Sequence, residues 1–367
     1  MLPPNNMHPN SNMHVFHGEL AYSEVERAAG DAGRSMLTPV NVVKEMFKLV
    51  ITTALILVSA GCSYRQDDLS FPSGDVTLAG TLYIPRGGGT HPAIIFIHGS
   101  GPDSREQYRF YADLFARRGI AALIYDKRGV GTSTGDWRRS PFSALADDAL
   151  AAVQFLKTHP AIDARRIGLW GGSEGGIIAP WAASRTPDVA FVIMQSATGV
   201  SFARQNLYQT ERQMRALNLP ESEVQEALAF QRLKHAYART GTGWQEYAVA
   251  LQNSRNEPWA SLGGPLSPDD WWWLWYRTKM DYEPVPVLEK VRVPVLALWG
   301  ERDELVPVAE SRAALEGAFA RGGNQNVTYR VFAGADHSMN TQSGPQTSPE
   351  YLETMLEWTL GQVKMSK

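Results

Sequence analysis

The chain has 367 residues, 44% of them hydrophobic and 20% charged, a balance that excludes a disordered chain and a multi-span membrane protein and leaves room for one large α/β domain with an insertion. A net charge of −3 offers no basic footprint for nucleic acid. With Cys62 as the single cysteine, neither an intrachain disulfide framework nor a cysteine-based metal site is possible.

Residues 1 to 45, rich in Asn, Met, Pro and His, show no sustained periodicity and read as disordered, or as sequence upstream of a start at Met46. His8, His14 and His17 have no scaffold there on which to hold a metal. Behind Lys44 and Lys48 an uncharged run from Leu49 to Cys62 has the positive region, apolar core and small residues of a secretory signal. It is short for a membrane span of about 20 residues. Ala60-Gly61-Cys62 resembles a bacterial lipoprotein box, with Ser59 where a leucine is usual. Export to the cell envelope with a lipid on Cys62 is the expectation; a plain signal peptide, giving a periplasmic or secreted protein, and a single membrane anchor are the alternatives.

The folded part is expected after a short polar tether from Ser63 to Asp68. Val76 to Pro85 alternates as a half-exposed strand of an antiparallel pair, and Gly87-Gly88-Gly89 makes a turn. Pro92 to Ile97 is a continuous apolar run, as in a parallel strand covered on both faces. It ends in the loop His98-Gly99-Ser100-Gly101-Pro102. A helix from Tyr108 to Arg117 leads to the strand Ile120 to Tyr125 and a second polar, glycine-rich loop, Asp126 to Ser133. An amphipathic helix from Phe142 to Leu156 follows, then an apolar strand ending in Ile167-Gly168-Leu169-Trp170.

Gly171-Gly172-Ser173-Glu174-Gly175 comes next and fits the G-x-S-x-G elbow, a tight strand-to-helix turn that exposes a serine at a sheet end. Glycines two positions either side avoid collision, and the helix start at Ile177 points N–H groups at a developing oxyanion. Phe191 to Gln195 is a further strand. From about Val200 to Glu283 the strand rhythm stops: Glu221 to Lys234 has helical spacing, and tryptophans gather at Trp244, Trp259 and Trp271-Trp272-Trp273-Leu274-Trp275. Those tryptophans are expected partly to line an apolar acyl pocket and partly to fill the insertion's own core. Strands resume at Val293 to Trp299 and Val327 to Phe332.

Alternating strands and helices predict a mostly parallel α/β sheet with helices on both faces and right-handed crossovers. The expected division is 1–62 leader, 63–199 first part of the core, 200–285 helical Trp-rich cap and 286–367 second part of the core.

A serine hydroxyl is a weak nucleophile and needs a base, which in turn needs a group to orient it. Asp303 lies in the loop after one late strand and His337 in the loop after the last, so Ser173, Asp303 and His337 follow the chain order Ser, Asp, His of α/β-hydrolases. Glu301 and Asp336 are the rival carboxylates, whereas His91, His159 and His235 fall outside strand-end loops. From about residue 70 onward the chain resembles the α/β-hydrolase superfamily, and within it the bacterial hydrolases grouped with serine aminopeptidases and esterases, which carry a similar D-x-R-G-x-G-x-S loop, here Asp126 to Ser133. The resemblance implies Ser173 as nucleophile, His337 as general base and acid, and Asp303 as orienting carboxylate. It implies an oxyanion hole from the backbone N–H of Glu174 and an N–H of the 98–101 loop, that of Ser100.

His98, Asp126 and Arg128 are expected to organise loops. Glu174 is expected to favour the helix start through the dipole, with attraction of a substrate ammonium as the alternative. The expected partner is a small-molecule ester cleaved through an acyl-enzyme, with no cofactor and no metal. An aminopeptidase-like amidase using the same residues is the rival, and a catalytically silent envelope-binding protein a third reading.

Overall fold

The computed structural model describes residues 63–341 and 347–365. The histidines of the first 45 residues, the apolar leader and Cys62 lie outside the described residues. The described chain opens with a hairpin, β1 (Tyr64–Ser73) and β2 (Val76–Pro85), whose tight turn is made by Gly74 at φ 62°. The segment expected as a polar tether is thus a strand from Tyr64 onward. Its polar residues misled because β1 is the sheet edge: Arg65, Gln66, Asp68 and Ser70 are exposed, and only Tyr64, Phe71 and Ser73 are buried. In turn β2, inside the sheet, is buried at nearly every position.

The remaining strands are β3 (His91–Ile97), β4 (Ala121–Tyr125), β5 (Ile162–Gly172), β6 (Phe191–Gln195), β7 (Val295–Gly300) and β8 (Val327–Phe332). They form one eight-stranded sheet in the order β1-β2-β4-β3-β5-β6-β7-β8, antiparallel at β1–β2 and β2–β4 and parallel elsewhere. From β3 the chain steps to one side, to β4, and then returns to the other side, to β5. The loops after β3 and β5 therefore diverge between adjacent strands, the switch point where open parallel sheets leave a crevice. Ile97 pairs with Gly171, so the 98–101 loop and the Ser173 turn leave the sheet side by side.

Helices α1 (Arg109–Ala116), α2 (Phe142–Thr158) and α3 (Gly175–Ala183) follow β3, β4 and β5. Between β6 and β7 stand α4 (Phe202–Ala216), α5 (Glu221–Thr240), α6 (Trp244–Asn253), α7 (Trp271–Met280) and the short α8 (Val285–Leu288). The last two are α9 (Val308–Gly322), before β8, and α10 (Pro349–Met365) after it. One face of the sheet packs Leu145, Ala149, Ile178 and Leu315 from α2, α3 and α9; the other packs Ala112, Phe115, Tyr351 and Met355 from α1 and α10. A third cluster, with Val224, Tyr237, Tyr247, Trp259 and Trp273, belongs to the insertion alone.

Candidate active site

Ser173 sits at φ 55°, a left-handed conformation that a side chain rarely adopts. The turn is closed by Gly176 N–H donating to Ser173 O at 2.9 Å and by Ser173 N–H donating to Gln195 O at 2.8 Å. A Cβ on Gly171 would overlap the carbonyl of Gly175, and one on Gly175 would lie 2.5 Å from Ile97 O, so β5, α3 and the end of β3 meet backbone to backbone.

Asp303, 3% exposed, has both carboxylate oxygens engaged. Oδ1 accepts from the backbone N–H of Leu305 and Val306, both at 2.9 Å, and Oδ2 accepts from His337 Nδ1 at 2.8 Å. With Nδ1 as donor, the neutral imidazole of His337 presents Nε2 as an acceptor. The backbone of His337 is tied to the elbow's neighbour: Ser196 Oγ donates to His337 O at 2.7 Å and Gln195 Nε2 at 3.4 Å. One segment, Gln195-Ser196 at the end of β6, therefore holds both the serine turn and the histidine loop. Among the described residues no hydrogen bond reaches the Ser173 hydroxyl. The rival carboxylates are engaged otherwise, Glu301 with Gly334 N–H at 2.9 Å and Asp336 with the N–H groups of Ser338 and Asn340, also at 2.9 Å.

His98 is 3% exposed and donates from Nε2 to Tyr125 O at 2.5 Å; burial drives its pKa down to about 3, so it is a neutral brace between the ends of β3 and β4. Asp126 accepts from Arg105 N–H at 3.0 Å, and Arg128 grips Asp148 through two bonds of 2.7 Å. These three organise loops.

Glu174 is neither a helix-start charge facing solvent nor a free anion. It is 5% exposed, its Oε1 accepts from Lys127 Nζ at 2.7 Å, and its Oε2 accepts from Lys279 Nζ at 2.8 Å and from Ser100 Oγ at 3.3 Å. Burial alone would raise this carboxyl, but the two ammonium groups hold it below the usual glutamate range. Lys127 Nζ also donates to Gly99 O at 2.8 Å. Neither the N–H of Ser100 nor that of Glu174 is engaged by a described group. Both lysines escaped the sequence reading: Lys127 stood in the glycine-rich loop between two residues already assigned to loop structure, and nothing local to Lys279 marks a contact 105 residues away.

A pocket of about 20 Å³, room for roughly one water, opens beside Ser173. Its apolar walls are Phe142, Ile177, Phe202 and Val306, and its polar lining includes Ser100, Ser196, Glu174 and, from the insertion, Gln205. Contrary to the expectation for the tryptophans, no tryptophan lines it. Trp259 and Trp273 are only 4% and 2% exposed because they fill the insertion's own core, so the insertion's aromatic contribution to the pocket is Phe202.

A family model for serine aminopeptidases, S33, matches residues 89–342. The esterase EstD of Thermotoga maritima is 25% identical over 299 residues, 78% of this chain, and the match spans 65% of that relative's own length, less than two thirds. Among solved structures, a Pyrococcus furiosus esterase superposes with a TM-score of 0.55 at 20% identity over 82% of this chain and 92% of its own. A Mycobacterium smegmatis proline iminopeptidase does so with a TM-score of 0.56 at 18% identity, over 82% of this chain and all (100%) of its own.

Proposed function

The chain belongs to the serine aminopeptidase, S33, family of α/β-hydrolases, and from that premise we propose that it hydrolyses carboxylic esters of short acyl chain through Ser173, His337 and Asp303. The observation that carries the reading is the convergence at one sheet end of the strained Ser173 turn, the His337–Asp303 pair and the two unengaged N–H groups of Ser100 and Glu174.

In the proposed reaction His337 Nε2 takes the proton of Ser173 Oγ as that oxygen adds to the ester carbonyl carbon, in a hydrogen bond that forms as substrate seats. The N–H groups of Ser100 and Glu174 donate to the oxyanion of the tetrahedral intermediate, and Asp303 stabilises the imidazolium. Collapse breaks the bond to the alkoxy oxygen, which leaves with the proton from Nε2. Water, deprotonated by the same nitrogen, adds to the acyl-enzyme; the acid departs and Ser173 recovers its proton.

The small pocket supports a short acyl group. The saturated carboxylate of Glu174 supports esters over substrates with a free ammonium, because both of its oxygens already face lysines. The family match and the iminopeptidase neighbour favour the second reading, an amidase acting on N-terminal residues. Turnover of p-nitrophenyl acetate, butyrate and octanoate is to be compared with that of amino-acid p-nitroanilides, with Ser173 mapped by mass after fluorophosphonate labelling. The proposal expects kcat/KM to fall with acyl length and anilides to be poor; efficient anilide cleavage with poor ester cleavage would replace it by the amidase reading, and full activity in Ser173→Ala would remove both.

For the cell, we propose export and attachment through a lipid on Cys62. A Cys62→Ser protein released from the membrane fraction supports this; one retained there opposes it.

A further inference from the structure

The buried cluster Lys127–Glu174–Lys279 is larger than a strand-end turn needs. Its three side chains are 2%, 3% and 0% exposed, and each comes from a different part of the chain: the loop after β4, the elbow, and the last turn of α7 in the insertion. Burying three charges is costly, and an ion pair of this kind is weak evidence for stability by itself. Its contacts point instead to the two N–H groups that the proposed function uses.

A trans peptide fixes its C=O and its N–H in opposite directions. The peptide carrying the Ser100 N–H has Gly99 O at its other side, and Lys127 Nζ holds that oxygen at 2.8 Å. The peptide carrying the Glu174 N–H has Ser173 O at its other side, held by Gly176 N–H at 2.9 Å. Glu174 then joins the two halves: its Oε1 bonds the same Lys127 ammonium, and its Oε2 accepts from Ser100 Oγ. Lys279 completes the set from the insertion, bonding Oε2 at 2.8 Å while its ammonium lies 4.9 Å from the ring centroid of Phe142, a wall of the pocket, and 5.0 Å from that of Trp275. The carboxyl of Asp103, raised by its own burial, also lies beside Gly99, where an added Cβ would meet its Oδ2 at 3.3 Å.

We propose that Lys127 and Lys279 are positioning residues for the reaction: together with Glu174 they fix the orientation of both oxyanion donors, and Lys279 makes that orientation depend on the helical insertion being seated against the elbow. The inference rests on the proposed function, since it assigns a task to donors that the reading places at the oxyanion. It adds Lys127, at a variable position of the Asp126 to Ser133 loop, and Lys279 of the insertion, neither of which belongs to the elbow or the triad.

The test compares wild type, Lys127→Met, Lys279→Met and Lys279→Arg in the full-length protein. The three readouts are kcat and KM on p-nitrophenyl acetate and the affinity of a trifluoromethyl ketone, whose adduct carries the oxyanion. Circular dichroism melting normalises for folded protein, and Lys127→Gln or Lys279→Gln replaces the Met variant at the same position where that one does not fold. The expected result is a fall of roughly ten- to a hundredfold in kcat and in ketone affinity together, with KM within about twofold and partial recovery in Lys279→Arg. Unchanged kcat and ketone affinity with a lowered melting temperature, or a change in KM alone, overturns the inference. Ser173→Ala separates the two levels: if it is inactive while the lysine variants behave as wild type, only the positioning role fails; if it is active, the site itself was misplaced.

Discussion

The hydroxyl of Ser196 donates to the main-chain oxygen of His337 at 2.7 Å, from a residue that itself holds φ at 49°. This contact sets the height of the histidine loop above the sheet, because Ser196 N–H is anchored to Leu298 O in β7 at 2.7 Å. Ser196→Ala removes a buried bond worth about 1 kcal/mol and keeps the strained backbone. The expected outcome is a fall of about fivefold to tenfold in kcat with KM little changed. Ser196→Gly should lose the same kcat while recovering part of the melting temperature, since glycine accepts the left-handed φ. Unaltered kcat in both variants would disconnect this bond from His337.

Asp303→Asn probes the orientation of the imidazole. The side-chain oxygen of asparagine can keep the two backbone donors at Leu305 and Val306, which turns its NH2 toward Nδ1 and drives the proton to Nε2. The wrong tautomer cannot accept the Ser173 proton, so kcat should drop by roughly 10⁴ with melting temperature little changed. Ester turnover and the rate of fluorophosphonate labelling of Ser173 should fall in parallel, and a loss below tenfold would point to a different orienting group.

Gly175→Ala puts a methyl group 2.5 Å from Ile97 O and 2.8 Å from His98 O. Neither carbonyl can yield without moving the end of β3, so the variant is expected to lose about 3 kcal/mol or more and to displace the Ser100 N–H. Denaturant melts and kcat on a short ester report the two effects, and a variant with wild-type stability would show that the β3 and β5 loops are not in backbone contact.

Lys234 makes the insertion's stability depend on pH. Its ammonium is buried in α5, bonds Leu262 O at 2.5 Å and lies 5.7 Å from the ring centroid of Trp272, and no carboxylate among the described residues pairs with it. Burial brings its pKa down to about 7 from 10.5, and burial likewise lowers that of the adjacent His235, to about 4. Between the two lysine values the unfolded chain binds the proton that the folded chain has released. Stability therefore rises with pH from about 7 to about 10.5 through this residue, and the gain is lost as pH falls back through 7. Lys234→Met should raise the melting temperature at pH 6 by several degrees and flatten its rise above pH 7. Melting curves from pH 6 to 10 check this, and an unchanged slope rules the lysine out as its source.

How much was legible varied with how local the information was. The apolar runs of β3 to β6 and the glycines around Ser173 declare themselves because burial on both faces and a colliding turn restrict neighbouring residues directly. β1 did not, since an edge strand tolerates polar residues and takes its conformation from its partner β2. The tryptophans of the insertion were legible as aromatic mass but not as to which side they face, and Trp273 turned inward on Tyr237 and Tyr247.

By itself the sequence determined an alternating α/β chain with a serine turn followed by an acid and a histidine at later strand ends, because periodicity and turn chemistry are written in consecutive residues. Only the tertiary structure decided that Asp303, not Glu301 or Asp336, meets His337, and that the carboxylate of Glu174, at the start of α3, bonds two lysines. Those choices depend on which loops the sheet order brings together: Lys127 and Lys279 are 47 and 105 residues from Glu174 along the chain, and only the closing of the sheet and the docking of α7 bring their charges within bonding distance.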